Sequence, residues 1–300
     1  VVPLFKKGDR NFEGNYRPVS ILPVISKVME RIVYDQLYEY ISVNNLMYQF
    51  QSGFRTGFST DTALSFLSDT IRFNMDAGLY TGVVPIDLQK AFDTVDHSIL
   101  ASKLKAIGVS GPAVNWFGSY LSERKQFVEV NNCMSEHGDV ACGVPQGSIL
   151  GPLLFSIYVN DMIQSVNCDL YLYADDSALV VSGKCPADIE SSLSQELESL
   201  SLWLEENRLS LHLGRTDSIR FTSNQRLTQT QPLNISGNGI DVTAQGSVKY
   251  LGVTLDENMS CTKMGNSVIK KVNAKINFLY RKRLFFGFRE KKMLCSSLIQ

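Results

Sequence analysis

Apolar residues recur along this chain at two spacings, and the switch between them predicts helices interleaved with hairpins. After Pro23, the residues Ile25, Val28, Met29, Ile32, Val33 and Leu37 fall three and four apart, the spacing of one helix face. Ala63, Leu64, Leu67 and Ile71 repeat that signal from Thr60 onward. Ser98 to Ile107 reads as a third helix, with Gly108 where a C-terminal cap belongs. Ser148 to Met162 is apolar enough for a buried helix, and Pro152 is tolerated near its start. Ile189, Leu193, Leu197, Leu200 and Leu204 give a long amphipathic helix ending near Asn207, and from Val268 the chain reads as helical and basic.

The strand signals are shorter. Val83 to Leu88 reads as a buried strand, although Pro85 removes a backbone donor from it. Alternation over Phe127 to Asn131, and the apolar runs Ile219 to Thr222 and Lys249 to Leu255, read as further strands. Leu170 to Val181 is two apolar runs around Ala174-Asp175-Asp176-Ser177, a strand–turn–strand pattern. Helices mixed with antiparallel hairpins, rather than strict β-α-β alternation, predict an α+β fold. No internal repeat or low-complexity linker interrupts it.

Length and composition narrow the class. Three hundred residues suffice for about two domains, and 44 % hydrophobic residues describe a globular chain rather than a disordered or fibrous one. With 29 Lys+Arg against 30 Asp+Glu, a uniformly basic nucleic-acid binder is excluded, so any such contact must come from local clusters. One exists: Lys263 to Lys292 carries ten basic residues and one acidic, interleaved with Tyr280, Phe285, Phe286 and Phe288. Lys270, Lys271 and Lys275 within it are candidate phosphate contacts, a solvated helix face being the alternative. Six cysteines without a CxxC pair or a nearby His pair argue against zinc and read as buried free thiols of a reducing compartment. No secretory signal opens the chain, and the longest apolar run, Ile149 to Val159, falls short of a membrane span, which predicts a soluble intracellular protein. The missing initiator Met and a last segment that reads as an unfinished helix suggest a fragment of a longer polypeptide.

The chemistry concentrates at the acidic turn. Adjacent Asp175 and Asp176 between two apolar strands repel each other, and a divalent cation relieves that repulsion. Asp87, ending the strand Val83 to Leu88, is a third candidate; if the strands are neighbours, three carboxylates meet at one sheet edge. Magnesium favours such a site, taking one or two carboxylates plus waters and substrate phosphates, and two ions about 4 Å apart assist phosphoryl transfer. Asp-Asp as a plain turn signal is the competing reading. Asp93 and Asp96 read as structural acids at the start of the following helix. Gly143-Val144-Pro145-Gln146-Gly147-Ser148 sets an unusual backbone before a helix, fit for nucleotide contact or for a simple loop-to-helix junction.

Taken in order, these stretches resemble the reverse transcriptases of LINE-type (non-LTR) retrotransposons. Pro3 to Asp9 (PLFKKGD), Asn15 to Ser20 (NYRPVS) and Gln51 to Arg55 (QSGFR) through Ser59-Thr60 are similar to that family's finger motifs. Ile86 to Asp93 (IDLQKAFD) resembles motif A, Gly143 to Pro152 (GVPQGSILGP) motif B and Tyr173 to Asp176 (YADD) motif C. Leu209 to Asp217 and Lys249 to Asp256 (KYLGVTLD) resemble motifs D and E. The resemblance implies a right-hand polymerase, with fingers over residues 1–82, a palm with an antiparallel sheet over 83–258, and the start of a thumb over 259–300. It implies template-directed transfer of deoxynucleotides from their triphosphates to the 3′-hydroxyl of a DNA primer on an RNA template, with two magnesium ions, in the nucleus or cytoplasm.

By motif position, the resemblance implies that Asp87 and Asp175 are the metal ligands and that Asp176 is a supporting carboxylate. It assigns Leu88 (through its carbonyl), Ala91, Phe92, Gln146 and Gly147 to the nucleotide, Phe92 as a steric gate against a ribose 2′-hydroxyl. Lys7, with Lys6 beside it, and Arg17 are implied to hold the triphosphate, a task suited to a point charge and a fork. Two positions depart from the pattern. Arg215 stands where the family usually has Lys, and Arg donates a proton poorly; Pro85 stands where it usually has an ordinary apolar residue. Both also suit a second reading, a decayed or co-opted polymerase remnant that only binds nucleic acid.

Overall fold

The computed structural model describes residues 1–130, 132–212, 216–223, 226, 233–237, 240–281, 285 and 287–299. Asn131 and Arg215 lie outside them. A six-stranded sheet forms the centre, in the order β11-β12-β10-β3-β9-β8. Its strands are β3 (Tyr80–Asp87), β8 (Asp169–Tyr173), β9 (Asp176–Gly183), β10 (Asp217–Phe221), β11 (Ile235–Gly237) and β12 (Ile240–Ala244). The antiparallel sheet expected from the sequence is in fact mixed, because β10 and β12 pair in parallel. β11 is the reason: it reverses the chain once more, so β12 returns running the same way as β10.

Pro85 sits inside β3, paired with Ala178. The carbonyl of Asp87 accepts from His212 N–H on the β10 side, and the strand's period of two directs the missing donor of Pro85 to that same side. The pairing of β10 with β3 stops at Val83. No ladder bond is lost, which removes the objection to a proline in a central strand.

Helices cover one face of the sheet. Helix α6 (Pro186–Glu206) lays Ile189, Leu193, Leu197 and Leu200, all fully buried, against it. α3 (His97–Ala106), α4 (Gly111–Leu121) and α5 (Leu150–Tyr158) extend that core. α5 is buried almost throughout and its Tyr158 hydroxyl donates to the Asn207 carbonyl at 2.6 Å. The other face holds a smaller core, where Leu67 and Ile71 of α2 (Thr60–Asp76) meet Val83, Tyr171, Val180, Phe221 and Tyr250. Tyr250 ends β13 (Ser247–Tyr250), which reverses at Leu251 and Gly252 into β14 (Val253–Asp256). The single strand expected over Lys249 to Leu255 is therefore a hairpin, turned by positive φ at both residues.

At the N-terminus, β1 (Val2–Phe5) and β2 (Tyr16–Val19) form a separate hairpin. α1 (Val24–Val43) follows. It is helical as its spacing predicts, yet Ile25, Val28, Met29 and Ile32 are exposed, while Leu37, Ile41 and Glu30 are buried. Two small ribbons, β4 (Lys125–Gln126) with β7 (Gly138–Asp139) and β5 (Glu129–Val130) with β6 (Cys133–Met134), occupy the stretch where one strand over Phe127 to Asn131 was expected. The chain ends in two helices, α7 (Thr262–Arg281) and α8 (Phe288–Ile299). α7 buries none of its residues. The thiols are also less enclosed than expected: Cys133, Cys142, Cys185 and Cys261 are exposed and Cys168 is half-buried. No helix among the described residues is long and apolar enough to cross a membrane.

Candidate active site

Register brings the distant acids together. β3 and β9 run antiparallel with Asp87 directly opposite Asp176, which places their Cα atoms about 4.5–5.5 Å apart with both side chains on one face. Asp175 belongs to the turn of the β8–β9 hairpin, whose last pair is Tyr173 with Asp176. Only Ala174 and Asp175 make that turn, and Ala174 adopts φ 56°. That left-handed backbone costs an L-residue on the order of 1–2 kcal/mol, and strain of this kind survives only where the surroundings enforce it.

Electrostatics mark the three acids as one unit. Burial first, then the charges of Asp175 and Asp87, push the Asp176 carboxyl up to about 6, against the pull of Lys6 and Arg17. Asp175 is also raised, by burial and by Asp87, against its own backbone N–H, Arg17 and Lys6. The two cations come from the N-terminal hairpin. Arg17 pairs with Leu4, and the period of two puts Lys6 on the face of Leu4 and Arg17. Lys7 is one residue further, exposed in the bend beyond the hairpin pairing. Lys6 rather than Lys7 is thus the lysine that acts on the carboxylates.

Leu88 is buried and bridges Leu211. The flanking bonds run from His212 N–H to the Asp87 carbonyl and from Gln89 N–H to the Ser210 carbonyl, both 2.8 Å. The carbonyl of Leu88 consequently faces away from that segment, to the side where the Ala174–Asp175 turn lies. Ala91 is buried, and Phe92 is half-buried, its ring stacked on Phe155 (centroids 4.6 Å, 26°) and edge-on to Phe54 (6.1 Å).

The 143–148 loop packs on the turn that carries Phe92 and Asp93. Val144 N–H donates to the Phe92 carbonyl (2.8 Å) and Gly143 N–H to the Val95 carbonyl (2.7 Å). Gln146 donates through Nε2 to Asp93 Oδ1 at 2.9 Å, and its carbonyl accepts from Ser20 N–H at 2.7 Å. Gly147 has φ 106°, and a Cβ there would stand 2.8 Å from the Ser20 carbonyl oxygen, so only glycine fits. Beyond the loop, buried Glu30 of α1 accepts from Ile149 N–H (2.6 Å) and the Tyr120 hydroxyl (3.0 Å). A carboxylate at that helix start is electrostatically favourable.

Asp93 lies in the turn before α3, whereas Asp96 stands at the start of that helix as its N-cap. Asp96 caps that helix through Ser98 and Ile99 N–H and pairs with Arg208 at 2.5 Å. Burial raises its carboxyl, but these bonds outweigh burial and leave it below the usual value. Asp93, raised by burial against the Gln146 bond and Lys90, ties the 143–148 loop to the turn that follows β3, a role the sequence alone did not suggest. Tyr250 was missed as well: its buried hydroxyl makes no hydrogen bond among the described residues, and burial and then Asp176 hold the phenol neutral. Lys270, Lys271 and Lys275 are exposed on α7, the last two one helical turn apart.

The residues suit magnesium. Among the described residues no three metal-ligating side chains close a cage, but magnesium seldom uses one, preferring one or two carboxylates with waters and phosphates. Carboxyls held above their ordinary value by burial and then by neighbouring carboxylate charge are the donor set a cation would relieve.

A carboxylate pair across two antiparallel strands, a third acid on the hairpin turn and a cationic hairpin near them form the arrangement that a right-hand polymerase would need. The fold agrees: this chain is similar to an apo telomerase of Candida tropicalis truncated from its C-terminal domain, with TM-score 0.51, 13 % identity, and 77 % of this chain and 44 % of that one covered. The model of the family described as reverse transcriptase (RNA-dependent DNA polymerase) matches residues 5–255, and the chain belongs to that family. It is 34 % identical over 254 residues to a probable RNA-directed DNA polymerase from transposon BS of Drosophila melanogaster, covering 82 % of this chain and 28 % of that protein. It is 28 % identical over 269 residues to the RNA-directed DNA polymerase from mobile element jockey of Drosophila funebris, covering 87 % and 29 %. The LINE-type resemblance of the motifs is thereby borne out. The chain spans less than a third of the length of these relatives.

Proposed function

We propose that this chain is the polymerase region of a LINE-type retrotransposon protein and copies RNA into DNA. The observation that carries the reading is the pairing of Asp87 with Asp176, with Asp175 on the adjoining turn and Lys6 and Arg17 facing them. Residues 1–82 would act as fingers, 83–258 as palm and 259–300 as the start of a thumb. In the reaction, the oxygen of a primer 3′-hydroxyl bonds to the α-phosphorus of a deoxynucleoside triphosphate. The bond to pyrophosphate breaks and the hydroxyl proton leaves.

Each group has a task in that step. Lys6 and Arg17 hold the triphosphate, Lys6 taking the task the motif position gave to Lys7. Asp87 and Asp175 are the ligands for two magnesium ions, with Asp176 supporting and the Leu88 carbonyl turned to the same side. When bound, magnesium neutralises charge on the attacking and leaving oxygens. The Phe92 ring underlies the sugar, held from behind by Phe155, and Ala91 leaves room beside it. Gln146 and Gly147 pack on the incoming nucleotide, with Asp93 fixing the carboxamide. Lys270, Lys271 and Lys275 grip the template–primer backbone.

Primer extension on an RNA template with magnesium tests this, deoxynucleotides against ribonucleotides. Extension with deoxynucleotides alone is expected. Ready ribonucleotide use would favour an RNA polymerase, and no incorporation by folded protein would favour the nucleic-acid-binding remnant.

A further inference from the structure

Gln51 does nothing in the scheme above, yet it is fully buried against the catalytic turn. Its segment lies alongside β8: Gln51 bridges Leu172 in parallel, Ser52 N–H donates to the Leu172 carbonyl (2.9 Å), and Leu172 N–H donates to the Phe50 carbonyl (3.0 Å). Contact is backbone on backbone, since a Cβ at Gly53 would stand 2.3 Å from the Ala174 nitrogen. The Gln51 side chain then reaches around the strand end. Its Oε1 accepts from Gly53 N–H at 2.9 Å and from Ala174 N–H at 3.4 Å. Two N–H donors on one atom fix which end of the carboxamide is oxygen.

We infer that Gln51 is a positioning residue that holds the Ala174–Asp175 turn in its left-handed form and so aims the Asp175 carboxylate. Its Nε2 is buried without a hydrogen-bond partner among the described residues. An apolar side chain of similar volume would avoid that unmet donor. What the carboxamide adds is the acceptor, placed where a buried backbone N–H of a strained turn needs one. Only the catalytic consequence rests on the polymerase reading; the effect on the turn does not.

The experiment compares wild type with Gln51→Met, which keeps length but removes the acceptor, and Gln51→Glu, which keeps it. Residue-resolved amide exchange is measured without metal or substrate, and single-turnover primer extension with magnesium. In Gln51→Met, exchange at Ala174 should quicken at least about tenfold while Leu179 in β9 stays protected. Its kcat should fall about ten- to a hundredfold, the loss that misplacement of about 1 Å brings, with the nucleotide KM within about twofold. Gln51→Glu should keep Ala174 slow and recover part of kcat. Unchanged Ala174 exchange in folded Gln51→Met, or fast exchange in Gln51→Glu, would overturn the inference. If Gln51→Met does not fold, Gln51→Glu decides it alone by the rate at Ala174. A wild type that shows a protected Ala174 but no extension would instead contradict the polymerase reading.

Discussion

Replacing Asp176 by Asn should make the metal-free protein more stable and a poorer polymerase. The Asp176 carboxyl rises from 3.8 to about 6 on folding, through burial and the neighbouring Asp175 and Asp87. A shift of about two units, at about 1.4 kcal/mol each, caps the cost of holding it ionised at about 3 kcal/mol at neutral pH, and solvent at this half-buried side chain screens part of that away. Asn keeps the shape and loses the charge, so a gain of about 1–3 kcal/mol is expected once lost hydrogen bonding is allowed for. The sign follows from a folded value above the unfolded one. Ionisation opposes folding only as pH rises from about 4 through 6, so the gain is full above pH 6 and shrinks toward pH 4. Urea unfolding in EDTA at pH 7.5 and pH 4.5 measures both ends. Magnesium should stabilise wild type more than the variant, because it relieves the same repulsion. A variant less stable than wild type at pH 7.5, or equally improved at both pH values, would refute the reasoning.

Other expectations follow from the same geometry. Lys6→Ala should raise the nucleotide KM about tenfold or more, the worth of a charge-assisted contact, with Lys7→Ala within about twofold; the reverse order would show that hairpin alternation does not select the lysine. Phe92→Val removes the stack on Phe155 and should cost about 1–3 kcal/mol of stability while raising ribonucleotide incorporation far more than it lowers deoxynucleotide use. Destabilisation without relaxed sugar choice would make Phe92 packing alone. Changing Lys270, Lys271 and Lys275 together to Gln should lower the slope of log affinity against log salt by about 2–3, near one unit per phosphate contact. An unchanged slope would return α7 to a solvated face.

Much of this site was legible because its chemistry is local in sequence. The apolar runs around Asp175-Asp176 specify a hairpin, and a strand ending at Asp87 needs only the right neighbour to complete the trio. What the sequence hid depends on pairing. Pro85 looked damaging until the limit of β10 showed that its missing donor has no partner to lose. Lys6 and Lys7 differ only by which face of a two-strand ribbon each occupies. Gln51 reads as one polar residue in a finger motif, and only the docking of its segment on β8 gives its oxygen a target. Helix α4 was not assigned from the sequence, although Pro112 in its first turn is a position that starts helices. Helical spacing predicts α1 rightly, yet its apolar stripe is exposed, because spacing does not say what covers a helix.

The central claim is that three carboxylates converge to transfer nucleotides, and Asp175→Asn tests it most directly. The substitution removes charge and almost no volume, so the fold should survive. Single-turnover extension of a DNA primer on an RNA template, with magnesium and matched folded wild type, should fall below about a thousandth of the wild-type rate, on the scale of about 4 kcal/mol of lost transition-state stabilisation. Folded Asp175→Asn protein that extends the primer at a rate near wild type would contradict the account.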